Sequence, residues 1–197
     1  MASAQLTCRV RVKKVEDSDG DSEQPQEATM LPLSDYPDIR TEIRTRWANE
    51  MIKHFGQTGE PHNSIRPWDF VAGLDGSIES LSMPELEGDL VEGYPARFQI
   101  PSSVLYGLDH EEKVRRAERF AMASLLYEIM TGRKPLEGLT DNEVQHRFIN
   151  GDFPDDIAAL PNVLLFILSG WSAEFSQELT RRGIPDPRRF ARVSDFS

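Results

Sequence analysis

The chain has 197 residues, 39% of them apolar and 28% charged, with a net charge of −11. That is long enough for one domain with a real core and ordinary in composition for a soluble globular protein. The acidic balance argues against nucleic acid and anionic membrane as partners, because both need a basic face.

Cys8 is the single cysteine, so neither an intrachain disulfide nor a paired-cysteine zinc site can form, and a reducing compartment, cytoplasmic or nuclear, is expected. The first residues lack an apolar signal-peptide core, and the longest apolar run, Val163 to Leu168, is far too short to span a bilayer.

Leu6, Cys8, Val10 and Val12 alternate with Thr7, Arg9 and Arg11, the period-two pattern of a half-buried strand. Residues 16–27 then turn acidic and polar, the composition of a mobile loop. Asp17, Asp19 and Asp21 have calcium-loop spacing, but Ser22 stands where the sharp turn needs Gly and Ala28 where a bidentate Glu is needed. Ser18 and Ser22, set among carboxylates, instead suit phosphorylation by an acidophilic kinase.

Ala28 to Leu33 reads as the return strand. A helix is predicted from Ser34 or Asp35, with Pro37 in its first turn. Ile39, Ile43, Trp47 and Met51 recur every fourth residue, flanked by Ala48, Ile52 and Phe55, and Gly56 and Gly59 close the element. Phe70-Val71-Ala72 and Ile78 to Leu81 flank Asp75-Gly76, a strong hairpin signal.

Residues 82–112 are broken by Pro84, Gly88, Gly93, Pro95, Pro101 and Gly107 and read as irregular. Residues 113–131 are apolar around most of a helical circumference, which predicts a central, buried helix ended by Gly132. Glu111, Glu112 and Lys113 to Arg116 read as its polar entrance. Thr140 to Glu143 is a capping box opening a helix through Phe148. Another segment begins at Asp156 or Ile157, an apolar helix at Asn162 to Trp171, and a short helix around Phe175 and Leu179. Residues 183–197 read as a tail, and the nearby Arg181, Arg182, Arg188, Arg189 and Arg192 as a solvated cluster.

Two stretches carry a resemblance. His62-Asn63-Ser64-Ile65-Arg66-Pro67-Trp68-Asp69 has the outline of the protein-kinase catalytic loop. Leu126-Tyr127-Glu128-Ile129-Met130-Thr131-Gly132-Arg133-Lys134-Pro135 resembles the central helix of the kinase C-lobe and the loop after it. Over roughly residues 28–180 the chain resembles the degenerate kinase-like domains common in filamentous fungi. The fold expected is therefore α+β and mainly α-helical. Residues 1–34 would form an N-lobe-remnant hairpin with an acidic loop, 35–180 a C-lobe-like helical domain, and 181–197 a tail.

The resemblance implies positions for the family's working parts, and most are altered. His62 falls on the loop His, where a structural role is expected, and Arg66 on the Lys that touches the transferred phosphate. Ser64 replaces the catalytic Asp, and Asp69 the metal-binding Asn. Ser82 falls where the Asp-Phe-Gly motif needs its Asp, and Ile100-Pro101-Ser102 stands for Ala-Pro-Glu. Glu118 replaces the central-helix Asp and Ala123 the family Gly. The sequence has no Gly-x-Gly-x-x-Gly, and no Glu-bearing helix follows Lys13 and Lys14 to pair with them.

Phosphoryl transfer depends on positioning and charge stabilisation, so these losses remove the groups that orient the hydroxyl and hold magnesium. The expectation is a non-catalytic, pseudokinase-like module with protein partners, no cofactor and no ATP–magnesium site. Two alternatives stand beside it. One is a residual ATP-dependent kinase using Asp69 with Asp75 or Glu85 for metal; the other is a truncated product of a longer kinase-like gene. His54, His110 and His146 are expected in solvent. Ser64 lacks a His–Asp partner in the sequence, and Asp69 and Asp75 sit where turns favour Asp.

Overall fold

The computed structural model describes residues 9–12, 29–32, 39–58, 70–73, 78–80, 94–160, 163–172 and 183. These residues are mainly helical. Four short strands, β1 (Arg9–Val12), β2 (Thr29–Pro32), β3 (Phe70–Gly73) and β4 (Ile78–Ser80), form one sheet in the order β2-β1-β3-β4. The alternation around Val10 and the turn signal at Asp75-Gly76 thus each mark a pair of strands. β1 runs antiparallel to β2, with Arg9 opposite Pro32 and Val12 opposite Thr29, and β3 runs antiparallel to β4. Pro32 has no N–H to give to a ladder and is tolerated because β2 lies at the sheet edge. A parallel pairing of β1 with β3, Arg9 opposite Val71, joins the two hairpins.

Helix α1 (Thr41–Thr58) begins later than the caps at Ser34 and Asp35 suggest, and Ile39 and Arg40 lie outside it. Arg44 Nε donates to Ile39 O at 3.1 Å, and the first helical bonds go to Arg40 O. The helix also runs through Gly56 to Thr58. Trp47, Ala48 and Met51 are fully buried, as the stripe predicts.

Helix α2 (His110–Thr131) is the axis of the molecule. Ten consecutive residues, Phe120 to Ile129, are buried, so the helix is enclosed on every side rather than along one stripe. It starts three residues before the predicted Lys113, because Asp109 caps it by accepting from the Glu112 N–H at 2.8 Å. Glu111 and Glu112 therefore occupy the first turn, where the helix dipole favours acids, and both pair with Arg115. The helix ends where the sequence says, at left-handed Gly132.

A 3-10 turn, Ser102–Leu105, lies within the stretch read as irregular. Helix α3 (Asp141–Ile149) opens on the capping box between Thr140 and Glu143. A second 3-10 turn spans Asp155–Ala159, and α4 is Leu164–Trp171, two residues shorter at its start than the predicted Asn162.

Gly170 brings α4 against α2. A Cβ there would lie 2.6 Å from Arg119 O and 2.7 Å from the Ala123 Cβ. Trp171 then stacks near Phe153 (ring centroids 5.5 Å apart), Phe148 (5.8 Å) and Tyr127 (5.7 Å), and Phe148 meets Phe120 edge-on at 4.9 Å. The indole N–H donates to Ser124 Oγ at 2.9 Å, so the Trp171 ring is buried with its donor satisfied.

Candidate functional site

The kinase-like positions His62, Ser64, Arg66, Asp69 and Ser82, the alternative metal ligands Asp75 and Glu85, and the acceptor serines Ser18 and Ser22 all lie outside the described residues. So do the predicted short helix around Phe175 and most of the tail. The motif positions that are described fall in two places. Ile100 is buried, and Ser102 is exposed as the first residue of its 3-10 turn. Glu118 and Ala123 are both buried in α2.

Residues 94–100, which end at this Ile-Pro-Ser triplet, are fastened to α3. Gln145 Nε2 donates to Ala96 O at 2.7 Å and Gln99 O at 2.9 Å. Arg97 donates to Leu139 O at 2.5 Å and pairs with Asp141 at 3.2 Å. One amide and one guanidinium thus satisfy carbonyls that an irregular segment leaves without a ladder.

The richest polar cluster is at the C-terminal end of α2. A buried arginine from α1 closes this end: Arg44 is 5% exposed and its Nη1 donates to Ile129 O at 2.8 Å. Ile129 O is among the last carbonyls of the helix, where a cation is favoured by the dipole. Gly132 makes room, because a Cβ there would stand 3.1 Å from the guanidinium. Sequence reasoning passed over Arg44, although a signal existed: it lies three, four and seven residues before Trp47, Ala48 and Met51, on the buried stripe itself.

Just beyond, Tyr127, Arg133, Lys134, Leu136, Glu137 and Asp156 are among the residues around an open cleft of about 520 Å³. Tyr127 OH donates to Asp156 Oδ1 at 2.9 Å, and Arg133 Nη2 donates to Asp156 Oδ2 at 2.5 Å. Both carboxylate oxygens are engaged, so Asp156 is poorly placed to serve as a base. Burial, followed by the hydrogen bond to Asp156, pushes the Tyr127 phenol well above its ordinary range, which keeps it a donor.

Glu128, next to it, is 2% exposed, and burial pushes its carboxyl up to about 7, with Lys134 acting to lower it and Glu137 to raise it. The arrangement positions donors, acceptors and charges at a surface. Among the described residues no three His, Cys, Asp or Glu side chains come together to hold a metal ion, and no helix is long and apolar enough to cross a membrane. Compared with family models, curated proteins and solved structures, the chain matches none.

Proposed function

We propose that the chain is a non-catalytic, kinase-like module that works by binding a protein partner. The observation that carries this reading is α2. Its Leu126-Tyr127-Glu128 to Pro135 stretch resembles the central helix of the kinase C-lobe, and that helix is enclosed here by α1, α3, α4 and the segment fastened to α3. Against that frame, Ser64 and Ser82 occupy positions where phosphoryl transfer needs carboxylates. Binding is the function such a frame retains. The cleft beside Tyr127 offers a partner both signs of charge, and Tyr106 stands 92% exposed at the turn into α2, a residue type that interfaces favour.

A thermal-shift titration of the whole chain with ATP, with and without magnesium or manganese, tests the reading. A ligand at one hundred times its dissociation constant stabilises a fold by about 2.7 kcal/mol, a shift that is easily seen. The expected result is no shift up to millimolar nucleotide. A metal-dependent shift abolished by Asp69→Ala would replace this reading with that of a residual kinase.

A further inference from the structure

The start of α3 brings together an exposed hydroxyl, flanking acids and a seated arginine. Thr140 is exposed, and so are Glu137, Gly138, Asp141, Asn142 and Glu143 around it. Carboxylates thus stand three residues before Thr140 and one and three residues after it, on a continuous surface stretch interrupted only by half-buried Leu139. Taken alone, Thr-x-x-Glu is accounted for by the capping box, in which Thr140 Oγ1 donates to Glu143 Oε2 at 2.7 Å.

Arg97 is a feature the capping box does not require. Its guanidinium bonds both chain neighbours of Thr140: Nη1 pairs with Asp141 Oδ1 at 3.2 Å, and Nη2 donates to Leu139 O. The side chain is 19% exposed and its Nε is buried without a hydrogen-bond partner, so the cation is held in place with donors to spare. The dipole at a helix N-terminus favours anions and not cations. Arg97 is therefore set for an anion, and Asp141, 77% exposed, holds it only weakly.

We propose that Thr140 is a phosphorylation site for an acidophilic Ser/Thr kinase and that Arg97 receives the phosphate. A kinase of this class selects its acceptor by the carboxylates around it, which Glu137, Asp141 and Glu143 supply. The Thr140 oxygen attacks the γ-phosphorus of ATP held by that kinase. The new O–P bond forms as the bond to the β–γ bridging oxygen breaks, the hydroxyl proton passes to the kinase's base, and ADP leaves. The product lacks the proton that Glu143 accepts, and its dianion repels that carboxylate, so the reciprocal cap opens. The phosphate then caps the Glu143 N–H in place of the hydroxyl and draws Arg97 away from Asp141. Because Arg97 belongs to residues 94–100, the modification tightens that segment onto α3. The inference does not rest on the kinase-like reading of this chain.

The acceptor is tested by incubating the folded whole chain with an acidophilic Ser/Thr kinase and ATP–magnesium and mapping the phosphate by mass spectrometry. Thr140 should be modified. Glu143→Gln, which keeps the hydrogen bonds of the cap and removes the charge, should slow that modification roughly tenfold. Phosphate confined to other residues, Ser18 and Ser22 among them, overturns the proposal, as does a rate at Thr140 that Glu143→Gln leaves unchanged. Phosphorus NMR of the modified chain tests the receiver. Arg97→Gln should raise the midpoint of the second phosphate ionisation by about half a pH unit, because a neighbouring cation favours the dianion. In the wild type itself, which needs no variant to fold, phosphorylation should raise the exchange protection of the Phe98 N–H, bonded to Pro95 O, severalfold. A midpoint that Arg97→Gln does not move, or unchanged protection of Phe98, overturns the role given to Arg97.

Discussion

Where α4 crosses α2, near Arg119 and Ala123, the packing is apolar and leaves no room for one methyl group at Gly170. At the C-terminal end of the same helix lie a buried arginine, a buried acid and a tyrosine bonded to an aspartate. The first region is sealed by the rings of Phe120, Phe148, Phe153 and Trp171, with the Trp171 N–H bonded to Ser124. The second is held by polar bonds between segments far apart in the chain, Arg44 to Ile129 and Tyr127 to Asp156. Apolar packing of the first kind stabilises without condition. Buried polar groups stabilise only while every partner is present and in the right protonation state. One helix therefore divides into a part that holds the fold and a part that can respond.

Substitutions at each end should separate these roles. The largest loss is expected from Arg44→Ala, about 3 kcal/mol in equilibrium denaturation, because it strands the Ile39 and Ile129 carbonyls and empties a buried site. Arg44→Met, which keeps the volume, should recover less than half of that if the hydrogen bonds dominate.

Gly170→Ala should cost about 2 kcal/mol, since the added methyl meets the backbone oxygen of Arg119 rather than a side chain that can swing away. Were it neutral, α4 would not sit as close to α2 as described. Trp171→Phe should cost about 1–2 kcal/mol, through lost ring area and an unpaired Ser124 hydroxyl, and should be partly rescued by Ser124→Ala. The smallest effect, about 1 kcal/mol, is expected from Thr140→Ala, which removes the α3 cap. The bonds from Thr140 hold the Glu143 carboxyl below its usual range, so the wild-type cap should persist at neutral pH and weaken only as pH falls through that lowered value.

The local parts of this architecture were legible in the sequence, and the assembled parts were not. Alternation around Val10, the capping box at Thr140 and the Gly132 terminus each depend on neighbouring residues, and each stands where periodicity and turn chemistry put it. The start of α1 departs from its local caps: the Ile39 carbonyl accepts from Arg44 Nε, while the same guanidinium reaches Ile129 O on α2. The start of α2 is locally encoded too: Asp109 is an ordinary cap, and the charged run after it forms the first turn rather than an approach to the helix.

The parallel pairing of β1 with β3 spans some sixty residues of chain, and no local pattern announces it. The same holds for the cleft. Tyr127 was legible as a motif residue, but its partner Asp156 comes from a 3-10 turn that only folding brings alongside. The kinase-like positions His62, Ser64, Arg66, Asp69 and Ser82 are the most readable candidates of all by motif, and they fall outside the described residues.

The most direct measurement of the contrast between the two ends is unfolding free energy against pH, for the wild type and Glu128→Gln, at constant ionic strength. The fold raises the Glu128 carboxyl from 4.5 to about 7, so it favours the protonated form. The wild type should be at full strength below pH 4.5. It should lose stability as pH rises toward 7, because the unfolded chain releases this proton before the folded one does. Relative to Glu128→Gln, the wild type should be weaker by about 2–3 kcal/mol at pH 8.5 and equal to it near pH 4. Parallel curves for the two proteins would contradict the account, because Glu128 would then carry no penalty and the polar end of α2 would be as unconditional as the apolar one.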